Sequence, residues 1–192
     1  MDVLRARIIF VVACGLRIVH RATACTAMVD LLTLTIYGQP VVKKNNQRVI
    51  DLPARNPRTG KPYRRKVDTA AYTSWHAGAI NQLTQLGYLT RLGYRAGFAA
   101  ENKARAKAGM PQMSALFNWP VNLQCKFFMK TNGRCDLSAL YEGIQDVLVE
   151  VGVLSDDNWM IVASHDGSGV QKDAANPRME ITISTKGTYD AS

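Results

Sequence analysis

The sequence predicts a single α+β domain with a mixed β-sheet and helices mainly on one face. Segments in which apolar and polar residues alternate, the pattern of half-buried strands, occur early, in the middle and near the end of the chain. Two segments between them repeat apolar residues every three or four positions, as helices do. The resulting order is β-α-β-α-β-β, which favours the α+β class. With 192 residues, 47% of them hydrophobic, the chain is long enough for one buried core.

The first 27 residues differ in composition from those that follow. An apolar run over Ile8–Leu16 and small residues over Ala22–Ala24 form a partial signal-peptide pattern, which basic residues between them interrupt. We interpret residues 1–27 as an extension upstream of a start at Met28 that lies outside the fold, with an appended helix as the alternative. The domain then spans residues 28–192.

The next three elements are a strand over Leu32–Tyr37, a basic loop over Gly38–Lys66 and a helix of about five turns over Tyr72–Leu86. Prolines and glycines throughout the middle segment predict the loop. This loop carries nine basic residues and one acid, which is nearly the whole formal net charge of +9.

Residues 90–118 are rich in Ala, Gly, Arg and Lys, and we interpret them as a mobile basic insertion that is partly helical. Alternating residues then predict a strand over Val121–Met129 and a last strand over Met179–Ile183. The apolar segment Trp159–Ala163 is interpreted as a buried strand, and His165–Gly169 as a turn.

A second helix is predicted between the strands at Val121–Met129 and Trp159–Ala163. Its apolar residues repeat at helical spacing from Leu137 to Val151. Asp136 stands at its N-cap position, where a carboxylate can accept the free N–H groups of the first turn. Gly152 is suited to end it.

Carboxylates are concentrated around this helix in a chain that is otherwise basic. Residues 134–166 include seven acids and one base, whereas the whole chain has 24 basic and 15 acidic residues. Glu142 and Asp146 lie on the helix face away from the core, and a turn that folds back along the helix would bring Asp136 toward the Asp156–Asp157 pair. Crowded carboxylates suit a divalent cation, and a basic surround suits a polyanion that binds the same cation. A solvated helix face followed by an acidic turn is the alternative interpretation.

The block from Asp136 to Asp157 resembles the active-site block of the RusA family of Holliday-junction resolvases. That family has Asp-x-Asp-Asn at the helix start, a Lys one turn on, an Asp further along and an Asp-Asp pair after the helix. Asp136, Asp146 and Asp157 match three of the acidic positions at the family's spacing. The segment Pro40–Arg48 resembles the family's Pro- and Asn-containing loop, and the element order matches over about 32–183.

Three positions depart from the family's pattern. Ser138 stands in place of the second Asp, Ala139 in place of the Asn, and Glu142 in place of the Lys. These departures bear on catalytic competence more than on the fold. Lys43 or Lys44 is the candidate to replace the family's lysine.

The resemblance implies a homodimeric, magnesium-dependent endonuclease that hydrolyses phosphodiester bonds at Holliday junctions or other branched DNA. It implies Asp136 and Asp157 as catalytic residues, with Asp136, Asp156 and Asp157 as ligands of Mg²⁺. Glu142 and Asp146 are accessory candidates. The residues predicted to hold the DNA backbone are Lys43, Lys44, Asn45, Asn46, Arg48, Arg64, Arg65 and Lys66.

Composition bounds the location of the protein and leaves other functions open. No apolar run reaches the roughly 18 residues of a membrane span, and the four cysteines lack the spacing of a zinc site. We therefore expect no membrane partner and a location in the cytoplasm of a bacterial or phage-infected cell. Two alternative functions remain open. One is a junction-binding protein that has lost cleavage, and the other is a basic nucleic-acid-binding module without enzymatic activity.

Overall fold

A computed structural model describes residues 30–43, 46–85 and 96–185. The expectations for residues 1–27, Lys44 and Asn45 lie outside these ranges. The described strands are β1 (Asp30–Tyr37), β2 (Gln47–Arg55), β3 (Pro62–Asp68), β4 (Val121–Met129), β5 (Val162–Ser164), β6 (Gly169–Lys172) and β7 (Arg178–Thr185), and the described helices are α1 (Ala70–Thr84), α2 (Phe98–Lys107) and α3 (Leu137–Glu150). They form an α+β fold, which confirms the predicted class.

Five of the strands form one mixed sheet, and β2 and β3 form a separate two-stranded sheet. In the main sheet β7 lies between β1 and β4 and is antiparallel to both. Along the other edge of β4, β5 pairs beside Val121 and β6 pairs beside Lys126–Met129, both parallel to β4. Because parallel strands need a crossover connection, α3 passes over the sheet between β4 and β5.

The core lies between one face of the main sheet and helices α1 and α3. Alternate residues of the central strand β4 point into it, and Leu123, Cys125 and Phe127 are fully buried. The helices cover this face with Ala79, Ile80, Leu83, Leu140, Ile144, Val147 and Leu148. The opposite face of β4 presents Gln124 and Lys126, so the helices lie on one side of the sheet as predicted.

Helix α3 has the predicted extent and apolar stripe, but not the predicted cap. Asp136 occupies the N-cap position with extended backbone angles, yet its side chain accepts no hydrogen bond from the first turn. Its carboxylate is exposed, and an exposed carboxylate can stay hydrated instead. The helix ends before Gly152, whose φ of +83° favours glycine. A Cβ on Gly152 would lie 2.6 Å from the ring of Phe98, so α2 packs closely against this end of α3.

The loop predicted over 38–66 is wrong for most of that segment, because residues 47–68 form a β-hairpin. Strand pairing is regular as far as Asp51 and becomes irregular before Arg55. Pro53 lies in the irregular part, where its missing N–H group breaks no regular ladder. The prolines that indicated a loop therefore mark a bulge and the ends of two strands.

The buried strand predicted over Trp159–Ala163 is wrong at its start. Trp159 is 80% exposed, and β5 begins only at Val162. The carbonyl of Asn158 accepts hydrogen bonds from the N–H groups of Ile161 at 3.0 Å and Val162 at 2.8 Å, which makes a tight turn. Asp and Asn favour such turns because their side chains bond to nearby backbone groups.

Helix α2 and strand β6 add to the predicted order of elements. Helix α2 lies inside the insertion at 90–118 and confirms that it is partly helical, with Phe98 buried at its start. Strand β6 was not predicted, because it has only four residues and begins with a glycine of the expected turn. None of the described helices has the length and apolar character needed to cross a membrane.

Candidate active site

A cleft of about 580 Å³ opens between the three helices, beside the base of the β2–β3 hairpin. Residues of α1, the first turn of α2, the last turns of α3 and the turn after α3 form its walls. The lining residues are Lys43, Asp68, Tyr72, Thr73, His76, Ala99, Ala100, Asp146, Val149, Glu150 and Asp157. Four of these are carboxylates and one is a lysine, so the cleft is acidic within a chain of formal net charge +9.

Asp146 is the most connected carboxylate of the cleft. Its Oδ2 accepts a hydrogen bond from Lys43 Nζ in an ion pair, and a second from the Tyr72 hydroxyl at 3.5 Å. The side chains of Lys43 and Asp146 are only 23% and 30% exposed. Burial by itself lowers the pKa of Lys43, but the hydrogen bond and charge of Asp146, with the charges of Glu142 and Asp68, raise it above its usual value. Lys43 is therefore a fixed positive charge in the cleft.

Tyr72 is held in place as a hydrogen-bond donor. Burial, followed by the negative charges of Asp146 and Asp68, raises the pKa of Tyr72, so its hydroxyl keeps its proton. Helix α1, which carries Tyr72, is capped by Thr69, whose Oγ1 accepts the Tyr72 N–H at 3.5 Å. The Thr69 hydroxyl in turn donates to Asn46 Oδ1 at 3.2 Å. Asn46 thus fixes the start of α1 and the position of this cleft wall.

The turn after α3 places Asp157 in the cleft, whereas Asp156 stabilises the turn itself. Asp156 Oδ1 accepts the backbone N–H groups of Asp157 at 2.7 Å and Asn158 at 3.3 Å. Desolvation alone raises the pKa of Asp156, but its hydrogen bonds outweigh that and lower it. Desolvation, the hydrogen bond with Asp156 and the charges of Asp156 and Asp146 raise the pKa of Asp157. Asp157 therefore lies in a negative field, which a bound cation relieves.

His76 and Glu150 form a second polar pair on the cleft wall. His76 Nε2 lies 3.7 Å from Glu150 Oε2, and the two side chains are 20% and 41% exposed. The imidazole ring also lies against Tyr72, with 5.6 Å between ring centroids. This wall therefore presents an imidazole and a carboxylate side by side.

Asp136 is not among the residues that line this cleft. It precedes α3, and Asp146 lies ten residues farther on, about 15 Å along the helix axis at 1.5 Å per residue. Ligands of one Mg²⁺ ion lie about 2 Å from it, so Asp136 and Asp146 cannot share an ion. Glu142 is exposed between them, and its charge reaches Lys43. Asp146 and Asp157 thus line the cleft, whereas Asp136 lies outside its lining.

Within residues 30–43, 46–85 and 96–185, no three carboxylate, imidazole or thiol side chains are grouped as a metal cage. Mg²⁺ does not require one, because it keeps several waters and usually binds through one or two carboxylates. Asp146 and Asp157 are the candidate pair, since they line one cleft and the charge of Asp146 contributes to the raised pKa of Asp157. A donor set of oxygens alone fits this hard cation.

The predicted DNA-binding residues fall into three groups. Exposed on the hairpin are Arg48, Arg64, Arg65 and Lys66. Lys43 and Asn46 are held by other protein groups, in the cleft and at the start of α1. Lys44 and Asn45 lie outside the described ranges. Among the described residues of this set, the hairpin group is thus the one available to a large anionic partner.

Sequence reasoning did not assign Asp68, Tyr72, His76 or Glu150 to a site. Tyr72 and His76 are four residues apart on α1, and Asp146 and Glu150 are four apart on α3. Residues at this spacing share a helix face, so a polar stripe on each helix was the available signal. That the two stripes face each other depends on how the helices pack.

Comparison with known proteins adds no relative to this picture. No protein-family model matches the chain, and a search of curated proteins finds no significant similarity. The function must therefore be inferred from the cleft, the hairpin and the motif that resembles the RusA family.

Proposed function

We propose that the protein is a magnesium-dependent endonuclease that hydrolyses phosphodiester bonds in branched DNA and is related to the RusA family. One observation carries the proposal: Asp146 and Asp157 share a cleft with the fixed charge of Lys43, at the foot of a strongly basic hairpin. Carboxylates alone suit a cation, and a basic hairpin alone suits a polyanion. A phosphodiester with its metal ion needs both.

The residues of the cleft divide the chemistry between them. Mg²⁺ held by Asp146 and Asp157 would supply charge stabilisation and a more acidic bound water. Lys43 offers a positive charge to the negative charge that builds on the scissile phosphate. Tyr72 keeps its proton and orients Asp146 through a hydrogen bond. His76 adds an imidazole that can take part in hydrogen bonds at the cleft wall.

Lys43 is also a candidate to replace the lysine that the RusA pattern has on the helix. Glu142 stands where the family has a lysine, and the charge of Glu142 contributes to the raised pKa of Lys43. Lys43, from the segment after β1, therefore interacts electrostatically with the helix position that Glu142 occupies. The departures at Ser138 and Ala139 lie at the helix end that holds Asp136. In this chain we accordingly place the metal near the C-terminal half of α3.

The choice of branched DNA and the twofold homodimer come from the resemblance. A four-way junction has near-twofold symmetry and must be cut on two strands, and a dimer with one cleft per protomer matches that geometry. We place this activity in the cytoplasm of a bacterial or phage-infected cell.

A second candidate function is junction binding without cleavage. The departures at Ser138 and Ala139 favour it, because they remove a carboxylate and an amide that the family carries at the start of the helix. The basic hairpin would serve this function equally well. The two candidates differ only in whether the bound strand is cut.

The test is a nicking assay on a synthetic four-way junction, run beside a linear duplex of equal length. The proposal expects nicks in Mg²⁺, none with a chelator, and tighter binding to the junction at equal salt. Junction-selective binding without nicks in Mg²⁺ would establish the second candidate instead. Equal binding to the junction and the duplex would exclude branched DNA as the preferred substrate.

A further inference from the structure

We propose that the β2–β3 hairpin is an arm that enters the major groove of duplex DNA beside the cleft. The proposal deepens the proposed function, on which it rests for the identity of the substrate. It concerns how the DNA is held and not whether it is cut.

The hairpin stands apart from the body of the protein. Its two strands pair only with each other and form their own sheet. No residue from 47 to 68 belongs to the buried core. At its base, Gln47 Nε2 donates to Asp68 Oδ1 at 3.0 Å, and the Thr69 N–H donates to the Asn46 carbonyl at 2.7 Å. An isolated two-stranded hairpin is only marginally stable, so a partner surface would add much to its order.

The dimensions of the hairpin match a DNA groove. The nine residues of β2 span about 30 Å at 3.3 Å per residue, which is the rise of roughly eight or nine base pairs. The major groove is about 12 Å wide and admits a two-stranded β-ribbon, whereas the minor groove is about half as wide.

Basic residues lie on both faces of the hairpin. Residues directly opposite each other in an antiparallel pair share a face. Arg48 opposite Val67 and Arg65 opposite Ile50 therefore lie on one face, and Lys66 opposite Val49 and Arg64 opposite Asp51 lie on the other. These four bases are exposed. A ribbon laid flat on one DNA strand would need charge on one face, whereas a ribbon inside a groove meets phosphates on both sides.

The tip of the hairpin is a preformed turn that carries more positive charge. Asn56 Oδ1 accepts the N–H groups of Arg58 at 2.9 Å and Thr59 at 3.3 Å, and the Gly60 N–H donates to the Asn56 carbonyl at 2.9 Å. Arg58 and Lys61 are exposed on this turn. In all, residues 47–68 hold seven bases and two acids.

The arm is continuous with the cleft. Asp68, the last residue of β3, lines the cleft together with Asp146 and Asp157. A duplex held along the arm would therefore present its backbone to these carboxylates. The substrate must then include about eight or nine base pairs of duplex next to the scissile bond.

The first test removes charge from one face at a time. Arg48→Gln/Arg65→Gln and Arg64→Gln/Lys66→Gln each remove two charges from the arm. The control, Lys126→Gln/Lys172→Gln, removes two exposed charges from strands of the main sheet. Binding to a 20-base-pair duplex is measured without Mg²⁺ across a salt series. Each arm variant should lower the log–log salt slope by about 1.8 units, and the control should leave it unchanged.

The second test blocks one groove. Glucosylated 5-hydroxymethylcytosine fills the major groove with sugar, and a ligand bound at A·T tracts fills the minor groove. The proposal expects binding to fall at least about tenfold with the glucosylated duplex and less than about twofold with the minor-groove ligand. Block by the minor-groove ligand alone, or a slope that falls for one face only, would overturn it.

The outcomes separate this proposal from the proposed function. Arm-dependent binding to the major groove without cleavage in Mg²⁺ would support the proposed DNA-binding arm and contradict the proposed nuclease activity. If both arm variants still cleave the junction and their salt slopes are unchanged, the nuclease proposal is supported and the arm proposal is contradicted. An arm that binds anionic vesicles or acidic protein but no duplex would also overturn the proposal. Because the substituted side chains are exposed, melting curves of the variants should match the wild type.

Discussion

Lys43 and Asp146 are 103 positions apart in the chain, and their contact joins the segment after β1 to helix α3. The ion pair is only partly exposed, and the Tyr72 hydroxyl adds a further bond to the same carboxylate oxygen. Removing one partner from a shielded charged pair leaves the other without compensation. The pair is therefore a structural contact of the cleft as well as a candidate catalytic one.

Lys43→Met should lower the free energy of unfolding by about 1–2 kcal/mol, because it leaves Asp146 partly buried without its charge partner. Arg64→Met is the matched control, since it breaks the Arg64–Asp51 pair, whose side chains are 74% and 56% exposed. That change should cost less than about 0.5 kcal/mol. Urea denaturation of both variants measures the difference. Equal effects would show that the cleft pair is no more shielded than a surface pair.

Trp159→Ala tests the residue that the sequence placed in a buried strand. At 80% exposure it should change the free energy of unfolding by less than about 0.5 kcal/mol. Ile161→Ala, two residues on and 9% exposed, should cost about 2–4 kcal/mol through the cavity it leaves. Thermal melting compares the two variants. A large loss of stability in Trp159→Ala would instead support the prediction that Trp159 lies in a buried strand.

Helix α2 packs closely against the C-terminal end of helix α3. Gly152→Ala combines a positive φ with a Cβ placed 2.6 Å from the ring of Phe98, and should cost about 2 kcal/mol or more. Gly133→Ala is the control, because its Cβ would meet only the Thr131 hydroxyl at 3.5 Å. Its effect should stay within about 0.5 kcal/mol. If denaturation showed the two changes to be equivalent, the close packing of α2 on α3 would be in error.

Periodicity predicted the elements that build the core. Strand β4 and helix α3 each bury one face. Apolar residues at every second position, or at every third or fourth, therefore indicate these elements directly in the sequence. The hairpin was missed because Pro53 and the other prolines of that segment indicate a loop, although a bulge tolerates them. Trp159 was misplaced because an apolar residue before a strand resembles part of the strand.

The candidate site was only partly accessible to sequence reasoning, for a physical reason. Asp157 was identified from the acidic pair after α3, and Asp146 as an accessory group. Tyr72 and His76 were not, because they reach the cleft only through the packing of α1 against α3. The role of Asp136 was inferred from a motif in the linear sequence. Linear spacing does not show that about 15 Å of helix separates it from Asp146.

At the scale of the whole molecule, positive charge is concentrated in the hairpin and negative charge in the cleft. The hairpin between 47 and 68 holds seven bases and two acids, whereas the cleft has four carboxylates and one lysine. The first favours association with a polyanion, and the second stores repulsion that a cation relieves. This separation of charge predicts that the stability of the metal-free protein depends on whether the Asp157 carboxylate is ionised.

Asp157→Asn should make the metal-free protein slightly more stable at neutral pH, by less than about 1 kcal/mol because the group is largely exposed. The pKa of Asp157 is raised in the fold, so the folded protein binds this proton more tightly than the unfolded chain. Its ionisation therefore removes stability as the pH rises from about 4 through the raised pKa. Asp156→Asn should instead make the metal-free protein less stable at neutral pH, because the pKa of Asp156 is lowered in the fold. Melting curves from pH 3 to 7 without metal, followed by Mg²⁺ titration, check both signs. A smaller effect of Mg²⁺ on Asp157→Asn than on wild type is also expected.

The most direct test of the cleft as the metal site compares Asp157→Asn with Asp136→Asn in junction cleavage. Both carboxylates are exposed and both changes are isosteric, so neither variant should alter junction binding by more than about twofold. Single-turnover cleavage in Mg²⁺ should fall by about 100-fold or more for Asp157→Asn, because a ligand of the metal is lost. It should stay within about threefold of wild type for Asp136→Asn, which lies outside the cleft. Wild-type cleavage by Asp157→Asn, or an equal loss in Asp136→Asn, would contradict this placement of the metal site.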